Sequence, residues 1–185
     1  VAIPDLTVLQ LVWSMATPYG FSADVCSSYV ARRLFARCIN FHVPAIVSTP
    51  QVADVLRRET LIAHQLDEIS RFNRTLFAVG SCLPDSHVVS SGVATAEELQ
   101  WYVDKGAAGV LCGRFIDRLG KGIEGPLDAR MMGVSVDKMR NRETGILVSV
   151  GADRVPATIA ALRGGYATHL VTHQSSAERL LSSCR

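Results

Sequence analysis

The sequence has 185 residues, of which 48% are apolar and 19% charged, with a formal net charge of +2. This composition suits one folded domain with a sizeable core and excludes a disordered chain. A balance so close to neutral gives no electrostatic footprint for nucleic acid or an anionic membrane, and the pairs Arg32-Arg33 and Arg57-Arg58 sit in helical patterns as solvated faces.

No apolar run approaches the roughly 20 residues of a membrane span. The first residues, Val1 to Asp5, lack the basic start and cleavage site of a signal peptide. There is no initiator Met, and the chain is expected to be part of a longer polypeptide. The five cysteines, Cys26, Cys38, Cys82, Cys112 and Cys184, are scattered and form no C-x-x-C. That pattern argues for free thiols in a reducing compartment, hence a cytoplasmic protein.

In chain order, short apolar runs alternate with helical periods. Strands are expected at Leu6–Val12, Cys38–Val43, Thr75–Val79, Gly109–Cys112, Ile146–Val150 and His169–Thr172. Several are almost continuously apolar, as strands buried on both faces of a parallel sheet are. Ser22 or Asp24 opens a helix carrying Val30 and Leu34. Thr49-Pro50 caps the next, with a stripe at Ile62, Leu66 and Ile69. Thr95-x-x-Glu98 is a capping box for a helix stopping at Gly106, and Ser175-x-x-Glu178 reads as another. Asp153 can cap the helix of Val155, Ile159 and Leu162, which ends at Gly164-Gly165. The expected class is a doubly wound, mostly parallel α/β fold, with strands paired through right-handed crossovers.

Two connections are long, Gly80 to Ala94 and Gly113 to Arg130. Both leave the carboxyl end of a strand, the edge where open α/β sheets bind ligands. Gly80-Ser81 suits the presentation of N–H groups and a hydroxyl to an anion or sugar, or simple turn chemistry. Arg114, just after Gly113, can grip a phosphate or carboxylate bidentately, or pair with Asp117 or another loop acid. Trp13 can stack on a sugar ring or cover an apolar edge.

Other strings carry less. Gly120-x-Gly122-x-x-Gly125 matches the dinucleotide fingerprint in letters only, since no strand ends before it and Pro126 follows it. No P-loop is present, and the five His residues form no metal-ligand spacing. No cofactor or metal is expected.

The segments together resemble the effector-binding domain of the SorC/DeoR-like bacterial transcription regulators. Phe41-His42-Val43-Pro44-Ala45-Ile46-Val47, Val79-Gly80-Ser81, Cys112-Gly113-Arg114-Phe115-Ile116-Asp117, Gly133-Val134-Ser135 and Ala160-Ala161-Leu162-Arg163-Gly164-Gly165-Tyr166 carry the likeness, which covers essentially the whole chain. The resemblance implies a fold similar to phosphosugar isomerases and deaminases, and a sugar or sugar phosphate as effector. It implies a homo-oligomer that meets DNA only through an upstream helix-turn-helix, and a first phosphate-gripping loop lying before Val1. Residues 1–185 would then be an amino-terminally incomplete effector domain. Three positions depart from the family pattern: Trp13 replaces a glycine, Val110 replaces an acid, and His173 follows Thr172 in place of Asp. These departures weaken the expectation of an ordinary sugar phosphate.

The expected ligand contacts are Trp13, Ser14, Pro44, Ala45, Gly80, Ser81, Asp85, Gly113 and Arg114. Gly80 and Ser81 would donate, Asp85 would accept sugar hydroxyls, Gly113 would allow close approach, and Arg114 would pair with an anion. Trp13, Pro44 and Ala45 would wall the pocket. No catalytic residue is expected, because no convincing general acid and base stand at strand ends. Two alternatives are a sugar-phosphate isomerase or deaminase on the same scaffold, and an assembly domain that has lost its ligand.

Overall fold

The structure, a computed structural model, describes residues 2–12, 22–41 and 43–183. Its parallel layers are β1 (Thr7–Leu9) beside β2 (Arg37–Ile39), and a second layer in which β7 (Thr144–Val148) lies between β3 (Arg74–Phe77) and β8 (His169–Val171). A separate antiparallel sheet is made of β4 (Val79–Gly80), β5 (Ala107–Leu111) and β6 (Arg114–Asp117). The mixed α/β class with parallel sheets therefore stands, while parallel pairing along the whole chain does not.

The correction has a local cause. Cys112 and Gly113 have φ of 51° and 77°, and Leu111 pairs with Arg114. A two-residue turn with both φ positive matches the twist of a hairpin, so the chain reverses and lays β6 back on β5. The stretch expected as one loop from Gly113 to Arg130 thus begins with a buried strand. It then folds back once more, with Ile116 bridged to Gly122. The Gly120–Gly125 string lies in this return, and the next helix begins only at Val136.

The helices are α1 (Ala23–Leu34), α2 (Pro50–Arg58), α3 (Thr60–Ser70), α4 (His87–Ser90), α5 (Ala96–Asp104), α6 (Val136–Met139), α7 (Val155–Arg163) and α8 (Gln174–Ser183). Thr49 caps α2 through Val52 N–H at 3.2 Å. Thr95 and Glu98 form the reciprocal box of α5, with bonds of 3.1 and 2.9 Å. The other three expected caps differ. Ser175 lies inside α8, which starts one residue earlier, and Asp153 lies in a 3-10 turn, Ala152–Arg154, that feeds α7 without a side-chain cap. Ser22 precedes α1, but its hydroxyl bonds Asp24 rather than a backbone N–H.

Two apolar clusters meet in this frame. One joins the parallel layers to α7 through Phe41, Phe77, Val79, Leu147 and Ala157. The other lies under the antiparallel sheet, where Tyr102 of α5 stacks on Phe115 of β6 with centroids 4.0 Å apart. Where β5 crosses α7, a Cβ on Gly109 would stand 2.4 Å from that of Ala157, so only glycine permits the approach.

Candidate ligand cavity

A cavity of about 450 Å³ opens beyond the carboxyl ends of β1, β3 and β7. Each strand delivers part of its wall. Val12 follows β1, Ala78 to Ser81 follow β3 and include β4, and Asp153 and Arg154 stand in the turn after β7. The remaining wall comes from the loop and short helix α4, through Leu83, Asp85, Ser86, His87 and Val88, from Ser91 and Val93 just after it, and from Val110, Cys112 and Gly113 of the β5–β6 hairpin. The convergence of strand ends at one opening is the geometry in which open α/β sheets hold ligands.

Arg154 supplies the cation. Its Nη1 donates to the Val79 carbonyl at 3.1 Å, which ties the turn before α7 to β4. Its Nε lies 3.7 Å from Asp153 Oδ2, and both side chains remain about two-fifths exposed. Ser86 is buried at 5% exposure, and its hydroxyl has no hydrogen-bond partner; the Ser91 hydroxyl is buried and equally unpartnered. Burial pushes the Cys112 thiol at the cavity wall up to about 12, against a small opposing pull from Arg114, so it is a protonated apolar wall group at neutral pH. Burial likewise raises Cys82, to about 11.

Of the nine expected contacts, Gly80, Ser81, Asp85 and Gly113 line this cavity. Trp13 and Ser14 lie outside the described residues. Pro44 is exposed and Ala45 is buried at 2%, and neither lines the cavity. Arg114 points elsewhere: its Nη1 pairs with Asp128 Oδ1 at 2.8 Å and its Nε donates to the Val134 carbonyl at 3.1 Å. It borders a second cleft with Lys121, Glu124 and Asp137. The loop-acid alternative for Arg114 is what the geometry shows, with Asp128 as the acid. Arg154, Asp153, His87, Ser86 and Ser91 are polar lining groups that sequence reasoning did not nominate. The signal for the first two was present, since Gly151 to Arg154 directly follow a parallel strand.

Among the described residues no group of three or more His, Cys, Asp or Glu could hold a metal ion, and no helix is long and apolar enough to cross a membrane. The family model described as "Putative sugar-binding domain" matches residues 2–182. The chain is 35% identical over 178 residues to "Uncharacterized transcriptional regulator YjhU" of Escherichia coli (strain K12), covering 96% of this chain and 54% of that protein. It is 27% identical over 170 residues to the "Deoxyribonucleoside regulator" of Bacillus subtilis (strain 168), covering 88% and 54%. The chain therefore spans about half the length of these curated relatives. The full-length sorbitol operon regulator SorC from Klebsiella pneumoniae has the same fold, with a TM-score of 0.85, 20% identity, and 97% and 61% of the two chains covered. A DeoR family transcriptional regulator from Listeria monocytogenes aligns with a TM-score of 0.88, 19% identity, and 97% and 71% covered. By this match and these relatives, the chain belongs to the sugar-binding domain family carried by SorC/DeoR-type bacterial transcription regulators.

Proposed function

We propose that the chain is the effector-sensing domain of a cytoplasmic transcription regulator, and that a sugar or sugar phosphate occupies the cavity at Gly80, Ser81, Asp85, Gly113 and Arg154. The observation that carries this reading is the convergence of three strand ends on a single cavity with aliphatic walls and a polar rim. One relative is named a deoxyribonucleoside regulator and one structural neighbour a sorbitol operon regulator, names that point to compounds rich in hydroxyls. DNA contact then belongs to a helix-turn-helix elsewhere in the polypeptide. The ligand acts by favouring one oligomer arrangement over another, which requires that it bind the two with different affinity. The domain is a sensor and not an enzyme: the groups at the cavity, Asp85, His87, Asp153 and Arg154, offer acceptors and donors for hydroxyls.

A thermal-shift screen of sugars and sugar phosphates tests this, with product analysis alongside. A ligand at 100 times its dissociation constant adds about 2.7 kcal/mol, a rise of about 5–10 °C for a chain of this size. Arg154→Met shrinks that rise severalfold. Arg114→Ala lowers the starting melting temperature but keeps the ligand response. Turnover of any compound would replace the sensor reading with the enzyme one.

A further inference from the structure

Resting on the reading of the cavity as an effector site, we infer that the turn Gly151–Arg154 couples the cavity to α8, with Ser176 as the positioning residue that joins them. Asp153 and Arg154 line the cavity. Gly151 opens the same turn, and its N–H donates to the Ser176 hydroxyl of α8 at 3.2 Å. One short turn thus meets the ligand space with its carboxyl half and α8 with its amino end. The carboxyl end is fixed in the core. Thr158, 1% exposed, donates to the Arg154 carbonyl at 2.8 Å, and its hydroxyl lies 2.7 Å from that of buried Ser149. The Arg154 side chain adds its bond to the Val79 carbonyl.

Toward the amino end the turn has little slack. Gly151 has a φ of 117°, and a Cβ there would stand 2.4 Å from Asp153 Oδ1, so the carboxylate is packed beside the Gly151 backbone. A shift of Asp153, as when it accepts a ligand hydroxyl, therefore moves the N–H that Ser176 receives. The helix in turn depends on that bond. It has ten residues, too few for a helix to stand alone in water, so its docking contacts hold it. Ser176 and Leu180 are its buried residues among those described, and its packing is on α7. Docking of α8 and the setting of the turn thus stabilise each other. Such coupling is reciprocal: a ligand that favours the bonded turn favours the docked helix by the same factor.

The experiment is amide hydrogen exchange on four ligand-free proteins: the parent, Arg154→Met, Ser176→Ala and the double variant, with α1 as the internal reference. Ser176→Ala should speed exchange at residues 151–155 about fivefold, the worth of one ordinary hydrogen bond. Arg154→Met should speed exchange in α8 severalfold, although its side chain bonds Val79 and not α8. In the double variant α8 should exchange no faster than in Ser176→Ala alone, because the connection is already cut. Should the alanine variant be too unstable to measure, Ser176→Cys, close in size but a weaker acceptor, takes its place. An α8 that ignores Arg154→Met, or effects that simply add in the double variant, overturns the inference. The same measurement is then made with each sugar or sugar phosphate that raises the melting temperature. Ligand should slow α8 in the parent and not in Ser176→Ala; slowing that survives the substitution also overturns the inference. If no compound in the panel binds, the effector-site reading falls, while the ligand-free comparison still decides whether turn and helix are coupled.

Discussion

Asp128 decides what Arg114 can do. One carboxylate oxygen pairs with Arg114, while the other accepts from Gly125 N–H at 2.8 Å and from the Tyr102 hydroxyl at 2.7 Å. The Tyr102 oxygen in turn accepts from Leu127 N–H at 3.1 Å, and burial together with Asp128 pushes its ionisation upward. Arg114 and Asp128 keep only 14% and 22% exposure, so removing the acid strands a guanidinium and a phenol in a mostly dry place. Asp128→Ala should therefore cost about 2–3 kcal/mol in urea unfolding, below the full cost of a wholly buried pair because some water reaches both groups. Asp128→Asn should cost about half of that, since it keeps an oxygen for Tyr102 or Gly125. A loss under about 0.5 kcal/mol for the alanine variant would mean that the pair is ordinary surface decoration. This pair also explains why the site was only partly legible. Gly80, Ser81, Asp85 and Gly113 could be nominated because a loop after a strand is a local feature. The direction of Arg114 depends on an acid 14 residues away, which spacing does not reveal.

At the level of elements, strands were legible wherever an apolar run ended in a turn signal, as at β3, β7 and β8 of the parallel layer and β5 of the antiparallel sheet. Their ends differ by a few residues from the apolar runs, because apolar character continues past the last ladder bond. β6 was hidden because its turn, Cys112-Gly113, lacks the usual Asn-Gly or Asp-Gly signature. The element that matters most for the site is α7, which holds Arg154 at its amino end and packs on β5 through Ala157. Gly109→Ala tests that coupling. The added methyl would meet the Ala157 Cβ at 2.4 Å and its Cα at 2.7 Å, and a backbone atom cannot rotate away. Helix and strand must separate, at about 1–3 kcal/mol as in other overpacked cores. The same displacement draws Arg154 away from the Val79 carbonyl, so ligand affinity should fall together with melting temperature. A variant that loses stability while binding the ligand as before would separate the packing of α7 from the site.

Across the whole molecule, the cavity lies where the two apolar clusters meet. Val79 belongs to the cluster of the parallel layers, whereas Val88, Val93 and Val110 belong to the one under the antiparallel sheet. Among the described residues, Arg154 bonds the Val79 carbonyl across the opening while few other polar groups there do so, and α4 is a single short turn of four residues. Such a segment is expected at the low-stability end of the structure, where local opening is frequent. A ligand that touches both sides adds contacts that exist only when the two clusters are held together, and this is how occupancy can reach beyond the site. Amide hydrogen exchange reads this directly. Ligand should slow exchange most over residues 81–93 and 151–155, which line or flank the cavity, and change it little in α1 and along β1 and β2. Slowing centred instead on residues 114–124 and 135–137 would move the ligand to the cleft beside Arg114. In that case the pair with Asp128 would have to open on binding, and Asp128→Asn would strengthen the response instead of leaving it unchanged.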